Sequence, residues 1–153
     1  MNKTSKTYLD LYQRDVDRLL NELEAIPDAL LWEVPEGVTN SSGVLVQHVV
    51  GNLSHYLGTE VGKTGYVRTR EREFSNTGIS KKELATQVED LKDMLADVFS
   101  SLDEQVLQEE YPGNFPYKAS LLQAIIHLYG HLNYHLGQVN YMRRILEKKA
   151  ESK

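Results

Sequence analysis

Five histidines carry most of the chemistry this sequence offers. They fall on two segments, His48 and His55 on one and His127, His131 and His135 on the other. A step of four residues turns a helix by about 400°, so residues i and i+4 project about 40° apart and one turn up. Two imidazoles placed this way can converge on one ion, as in other helix-borne metal pairs. The later segment holds two such pairs, His127/His131 and His131/His135, and spacing does not choose between them. His48 and His55 share a face but stand about 10 Å apart along a helix, too far to ligate one ion together. One histidine from the earlier segment and two from the later would make a three-histidine site with open coordination positions. A single histidine on an apolar face is more often a hydrogen-bonded core residue, so the weight lies on the combination.

Three neutral imidazoles leave the charge of a divalent ion uncompensated. Such an ion can lower the pKa of a bound water toward neutrality, or take a thiol substrate in its nucleophilic thiolate form. The chain has no cysteine, which excludes a disulfide framework, a thiolate metal site and a cysteine nucleophile. Any thiol must therefore come from the substrate. No carboxylate stands clearly on the histidine face, and Glu60, the nearest acidic residue at the end of that helix, is distant from His48. No general base is named. Gln138, three residues after His135, is placed to hold a ligand histidine's second nitrogen or a bound water. Asn52 and Tyr134 are weaker candidates of that type. Arg68, Arg70, Arg72 and Arg143 are the cations an anionic thiol could meet, although solvated charge is the simpler account of each.

Four helices are needed to position these groups. The first runs from about Thr4 to Ile26, with the stripe Leu9, Tyr12, Val16, Leu19, Leu23 and Ile26, and Pro27 ends it. The second spans about Ser42 to Glu60 behind the possible caps Asn40, Ser41 and Ser42. From Val44 to Leu57 it holds no Asp, Glu, Lys or Arg, so it should be covered on more than one side, by close packing across Gly51 and Gly58 or by a dimer contact. Residues 61–79 are long for a loop and suit a crossover between bundle ends. Ser80 to Glu83 predicts a capping box before a third helix that reaches about Leu102. A connection with Pro112, Gly113 and Pro116 leads to a fourth helix, about Ala119 to Lys149. Trp32, the only tryptophan, is expected to plug the space between helix ends.

These elements predict an all-α four-helix bundle forming one domain over residues 1–153. Length and composition agree: 153 residues, 41% hydrophobic and 25% charged, suffice for a real core. The net charge of −5 disfavours nucleic acid as a partner. No apolar run approaches the length of a membrane span, and the first residues lack the apolar core of a signal peptide. The expectation is a cytoplasmic protein with no membrane partner.

The segment HLYGHLNYHLGQVNYMRR resembles the last helix of the DinB-like superfamily of damage-inducible four-helix bundles. There, His-x-x-x-His is followed closely by Gly-Gln, and His131, His135, Gly137 and Gln138 match in register. QHVVGNLSHYLG resembles the superfamily's second helix, especially in an uncharacterised bacterial branch with His-x-x-Gly-Asn-Leu. GYVRTREREFSNTGIS fits the same branch. The resemblance covers nearly the whole chain. It implies a metal triad of His48, His131 and His135, leaving out His55 and His127. It implies up-down-down-up connectivity with a long crossover between the second and third helices, and a homodimer. It also implies a divalent ion, nickel or zinc ahead of others. Some families of this superfamily are S-transferases or isomerases that use low-molecular-weight thiols, and hydrolase activity was suggested for others. The expected function is metal-dependent thiol S-transfer to a small electrophile. The alternatives are a non-catalytic metal-binding or structural homodimer and a metal-dependent hydrolase.

Overall fold

A computed structural model describes residues 1–153. Six α-helices make up the fold, with no strand: α1 (Lys3–Ala25), α2 (Ser42–Leu53), α3 (Arg70–Ser75), α4 (Lys81–Ser100), α5 (Glu104–Gln108) and α6 (Leu121–Glu151). A 3₁₀ turn (Asp28–Leu30) follows α1, and a π-helical turn (Ser54–Thr59) extends α2. The four long helices lie where the apolar spacing puts them. The two short ones lie inside connections that the sequence suggested were irregular. α5 forms because Asp103 accepts from Val106 N–H at 2.9 Å and Leu107 is fully buried.

The apolar stripes meet in one core. Leu9, Tyr12, Val16, Leu19 and Leu23 of α1 pack with Leu84, Val88, Leu91 and Leu95 of α4, and with Leu121, Ile125, Leu128 and Leu132 of α6. α2 touches α1, α3, α4 and α6, and every one of its twelve residues is buried. This explains its lack of Asp, Glu, Lys and Arg: no face is left for a solvated charge.

Local contacts fix where the two histidine-bearing helices begin. Ser41 caps α2 by accepting from Val44 N–H at 3.2 Å, and Gly43 N–H donates to Leu31 O at 2.9 Å. The ring of Trp32 lies against Gly43 so closely that a Cβ there would overlap it. Trp32 thus seats the start of α2, the plug expected of it. α6 starts at a capping box, Gln123 N–H to Ser120 Oγ and Ser120 N–H to Gln123 Oε1. At Ser80, where the sequence predicts such a box, only half forms: Glu83 N–H donates to Ser80 Oγ at 3.1 Å without a return bond from the Glu83 side chain.

Across the bundle, α1 is tied to α6 by polar contacts. Asp15 is fully buried, and Arg14, Arg18 and Tyr129 all donate to it. Burial alone would raise the Asp15 pKa, but the bonds from Arg14, then Tyr129, bring it down to about 2. Arg143 donates to Glu22 at 2.6 Å and to Glu147 at 2.9 Å, so it serves the α1–α6 contact and is not free for an anionic ligand.

Leu53 is fully buried where α2 passes into the π turn. Leu53→Ala is expected to destabilise the protein by about 2–5 kcal/mol. Urea unfolding should show a lowered midpoint with an unchanged m-value.

Candidate metal centre

His48 enters from α2, and His131 and His135 enter one turn apart from α6. His131 Nε2 lies 3.1 Å from His48 Nε2 and 3.1 Å from His135 Nε2. One ligand-capable nitrogen from each of the three falls within 4.8 Å of the others. The remaining histidines go elsewhere. His127 is exposed and pairs with the Tyr117 hydroxyl at 3.1 Å. His55 stands 3.9 Å from Glu60 and edge-on to Tyr56. Of the combinations that spacing left open, the fold assembles His48, His131 and His135.

The second nitrogens decide what this cluster can do. His48 Nδ1–H donates to Glu73 Oε1 at 3.0 Å, and His135 Nδ1–H donates to Gln138 Oε1 at 2.7 Å. A neutral imidazole carries one proton, so both rings then present bare Nε2 lone pairs to the centre. His131 Nε2 faces both of them. A proton there could satisfy one neighbour and would leave the other lone pair opposed. A cation at the common point satisfies all three, and the partners on Nδ1 are those that orient metal-binding histidines.

Electrostatics favour neutral rings at His131 and His135. Burial, then the neighbouring imidazoles, lower the His131 pKa to about 4. Burial also lowers that of His135, only partly offset by the bond to Gln138.

Glu73 is the residue that sequence reasoning missed. It lies on α3, in the connection between α2 and α4, and is 7% exposed. Arg68 grips it with both arms of its guanidinium, Nε to Oε2 and Nη2 to Oε1, each at 2.8 Å. Burial alone would raise the Glu73 pKa; the bonds from Arg68, then His48, win, and the net shift is downward. Arg68, whose side chain is 11% exposed, is therefore a buried ion-pair partner, correcting the view of it as solvated charge. Its guanidinium lies 6.0 Å from the Tyr56 ring centroid. Gly51 makes room for this arrangement, since a Cβ there would overlap the Glu73 carboxylate. The signal in the sequence was a glycine within the histidine-bearing helix together with a charged run in the connection that follows it.

The other polar candidates separate clearly. Asn52 is buried and its Oδ1 has no partner. Tyr134 is exposed, edge-on to His135. Glu60 touches His55 and not the cluster. Arg70 stacks on Phe74. Arg72 lines a cavity of about 650 Å³ with Gln47, Gly51, Tyr66, Glu73 and Met94, on which no imidazole opens.

The fold and this cluster define an all-helical protein with a three-histidine group that could hold a metal ion. More particularly, the chain belongs to DUF1572, a family described as proteins of unknown function, whose model matches residues 2–152. No curated protein matches it.

Two outcomes are expected. His131 titrates at about 4 in the fold and at about 6.5 when unfolded. Between these values the unfolded chain binds more protons, so lower pH favours unfolding. The Tm of the metal-free protein should fall as pH drops from 6.5 toward 4, and His131→Gln should flatten that slope. Gly51→Ala should cost about 1–3 kcal/mol in chemical denaturation, because the pinned Glu73 carboxylate must move.

Proposed function

We propose that this protein binds one divalent metal ion per chain through His48, His131 and His135 and uses it in thiol S-transfer to a small electrophile. The observation that carries the metal reading is the convergence of three Nε2 atoms, two of them with lone pairs fixed inward by Glu73 and Gln138. The ligand set, three borderline nitrogen donors, suits nickel or zinc among late first-row ions and does not choose between them. Bound there, the ion supplies Lewis acidity, which lowers the pKa of a water or thiol ligand. The chain's own residues do the positioning. Glu73 and Gln138 hold the imidazole tautomers, and Arg68 keeps Glu73 ionised by hydrogen bonds and charge. The thiol comes from a low-molecular-weight substrate, since the chain has no cysteine.

The motif resemblance supports the finer parts of this reading: a DinB-like four-helix bundle with up-down-down-up connectivity over one domain, and a homodimer. Tyr134, Tyr141 and Ile145 leave an exposed apolar stripe on α6, beside Val38, and a second copy would cover it. The acidic balance supports a function without nucleic acid. No helix is long and apolar enough to cross a membrane, and we place the protein in the cytoplasm.

One observation favours a second reading, in which the ion is structural and the protein non-catalytic. The 650 Å³ cavity reaches Glu73 but none of the three imidazoles. Hydrolysis would use the same Lewis acidity on water.

Elemental analysis of tag-free protein tests the proposal. About one divalent ion per chain is expected in the wild type. His48→Ala, His131→Ala and His135→Ala should each lose it, and His55→Ala and His127→Ala should keep it. No uptake from nickel, zinc or manganese, or equal loss on mutating His55, would overturn the assignment. Thiol-dependent turnover abolished by His135→Ala would support transfer; a retained ion without such turnover would favour the structural reading.

A further inference from the structure

Two of the three imidazoles in the cluster have their second nitrogen held, and the third does not. His131 Nδ1 is buried and has no hydrogen-bond partner. Only four buried side-chain polar atoms in the protein lack one: His131 Nδ1, Asn52 Oδ1, Asn2 Nδ2 and Ser42 Oγ. A buried amide oxygen or ring nitrogen left unpaired is unfavourable, so such atoms call for an explanation.

Asn52 stands one turn beyond His48 on α2. Along this stretch α2 and the histidine face of α6 run in opposite directions. His48 meets His131 and His135, while Tyr56, two turns on, packs on Phe115, which packs on His127. That order puts Asn52 at the level of His131 and His127. Asn52 is 8% exposed, although asparagine is seldom buried without a bonding role.

The chemistry of the two atoms is complementary once His131 binds an ion. Coordination through Nε2 puts the ring's proton on Nδ1, which then needs an acceptor. Asn52 Oδ1 is an acceptor without a donor. We infer that Asn52 is the positioning residue for His131, taking the Nδ1–H when the site is loaded, as Glu73 does for His48 and Gln138 for His135. Each imidazole then has its own dedicated acceptor, drawn respectively from α2, α3 and α6. The inference rests on the three-histidine metal reading.

Cobalt(II) alone is the probe, titrated into tag-free wild type, Asn52→Leu and Asn52→Asp, with the unfolding midpoint of each metal-free protein measured in parallel. Asn52→Leu removes an amide oxygen that is buried and unpaired in the metal-free fold. It should leave that midpoint unchanged or raised while lowering cobalt affinity by about 10–100-fold. Asn52→Asp keeps an acceptor and should retain most of the affinity. In the cobalt-loaded wild type, proton spectra should show three hyperfine-shifted, exchangeable imidazole N–H signals. In Asn52→Leu one of them should exchange too fast to be seen. Wild-type affinity and all three protected signals in Asn52→Leu would overturn the inference and leave the metal reading standing. Equal losses of affinity in the Leu and Asp variants, or a fall in metal-free stability matching the fall in affinity, would also overturn it by marking a packing role. No cobalt uptake by the wild type would remove the metal reading and this inference together.

Discussion

Three imidazole nitrogens within 4.8 Å of one another, one ring buried and two half-buried, are hard to leave alone. Hydrogen bonds on the far side of His48 and His135 turn both bare lone pairs toward the same point, and His131 Nε2 faces them there. In water each lone pair would take a hydrogen bond. Here they face one another at 3.1 Å, so one shared proton cannot serve all three. Much of the surrounding structure serves to keep that arrangement from relaxing. α2 is buried on all sides, α6 is started by a two-way cap, and the Trp32–Gly43 contact fixes where α2 begins.

Glu73 extends this constraint into the connection between α2 and α4. A carboxylate at 7% exposure is tolerable only if its charge is matched and its oxygens are bonded. Arg68 supplies the charge and two bonds, and His48 supplies a third. Gly51 supplies the space. The short helix α3 also sets the Phe74 ring against His48, with centroids 5.0 Å apart. A six-residue helix has little stability of its own, so its place depends on packing against α2 and on this ion pair.

Much of the fold was legible because the apolar residues of the long helices recur every three or four positions over five or more turns. Lys3–Ala25, Lys81–Ser100 and Leu121–Glu151 lie close to the expected bounds. The i, i+4 pair at His131 and His135 was legible for the same reason, while the choice of His131 with His135, and of His48 over His55, came from motif resemblance and not from spacing. The role of Glu73 was not legible. In RTRERE every residue is charged or polar and the helix is under two turns long, so no periodicity tells which carboxylate turns inward. Its partner His48 is twenty-five residues away, a pairing that only the packed fold makes. The same shortness hid α5.

The charge balance of the site bears on its chemistry. Glu73 touches His48 and could transmit its negative charge toward an ion through the ring, strengthening the bond and weakening the ion's pull on other ligands. Arg68 opposes this. Its guanidinium bonds both Glu73 oxygens, so the pair as a whole contributes little net charge at the cluster. Gln138, the acceptor on His135, is neutral as well. Three neutral imidazoles with neutral or neutralised outer partners leave nearly the whole charge of a divalent cation to be balanced from outside. Holding a divalent ion as proposed, such a centre would attract anionic ligands from solution more strongly than one whose histidines lean on free carboxylates. The pairing of Glu73 with Arg68 thus fixes the tautomer of His48 while limiting the negative charge that a lone carboxylate would bring.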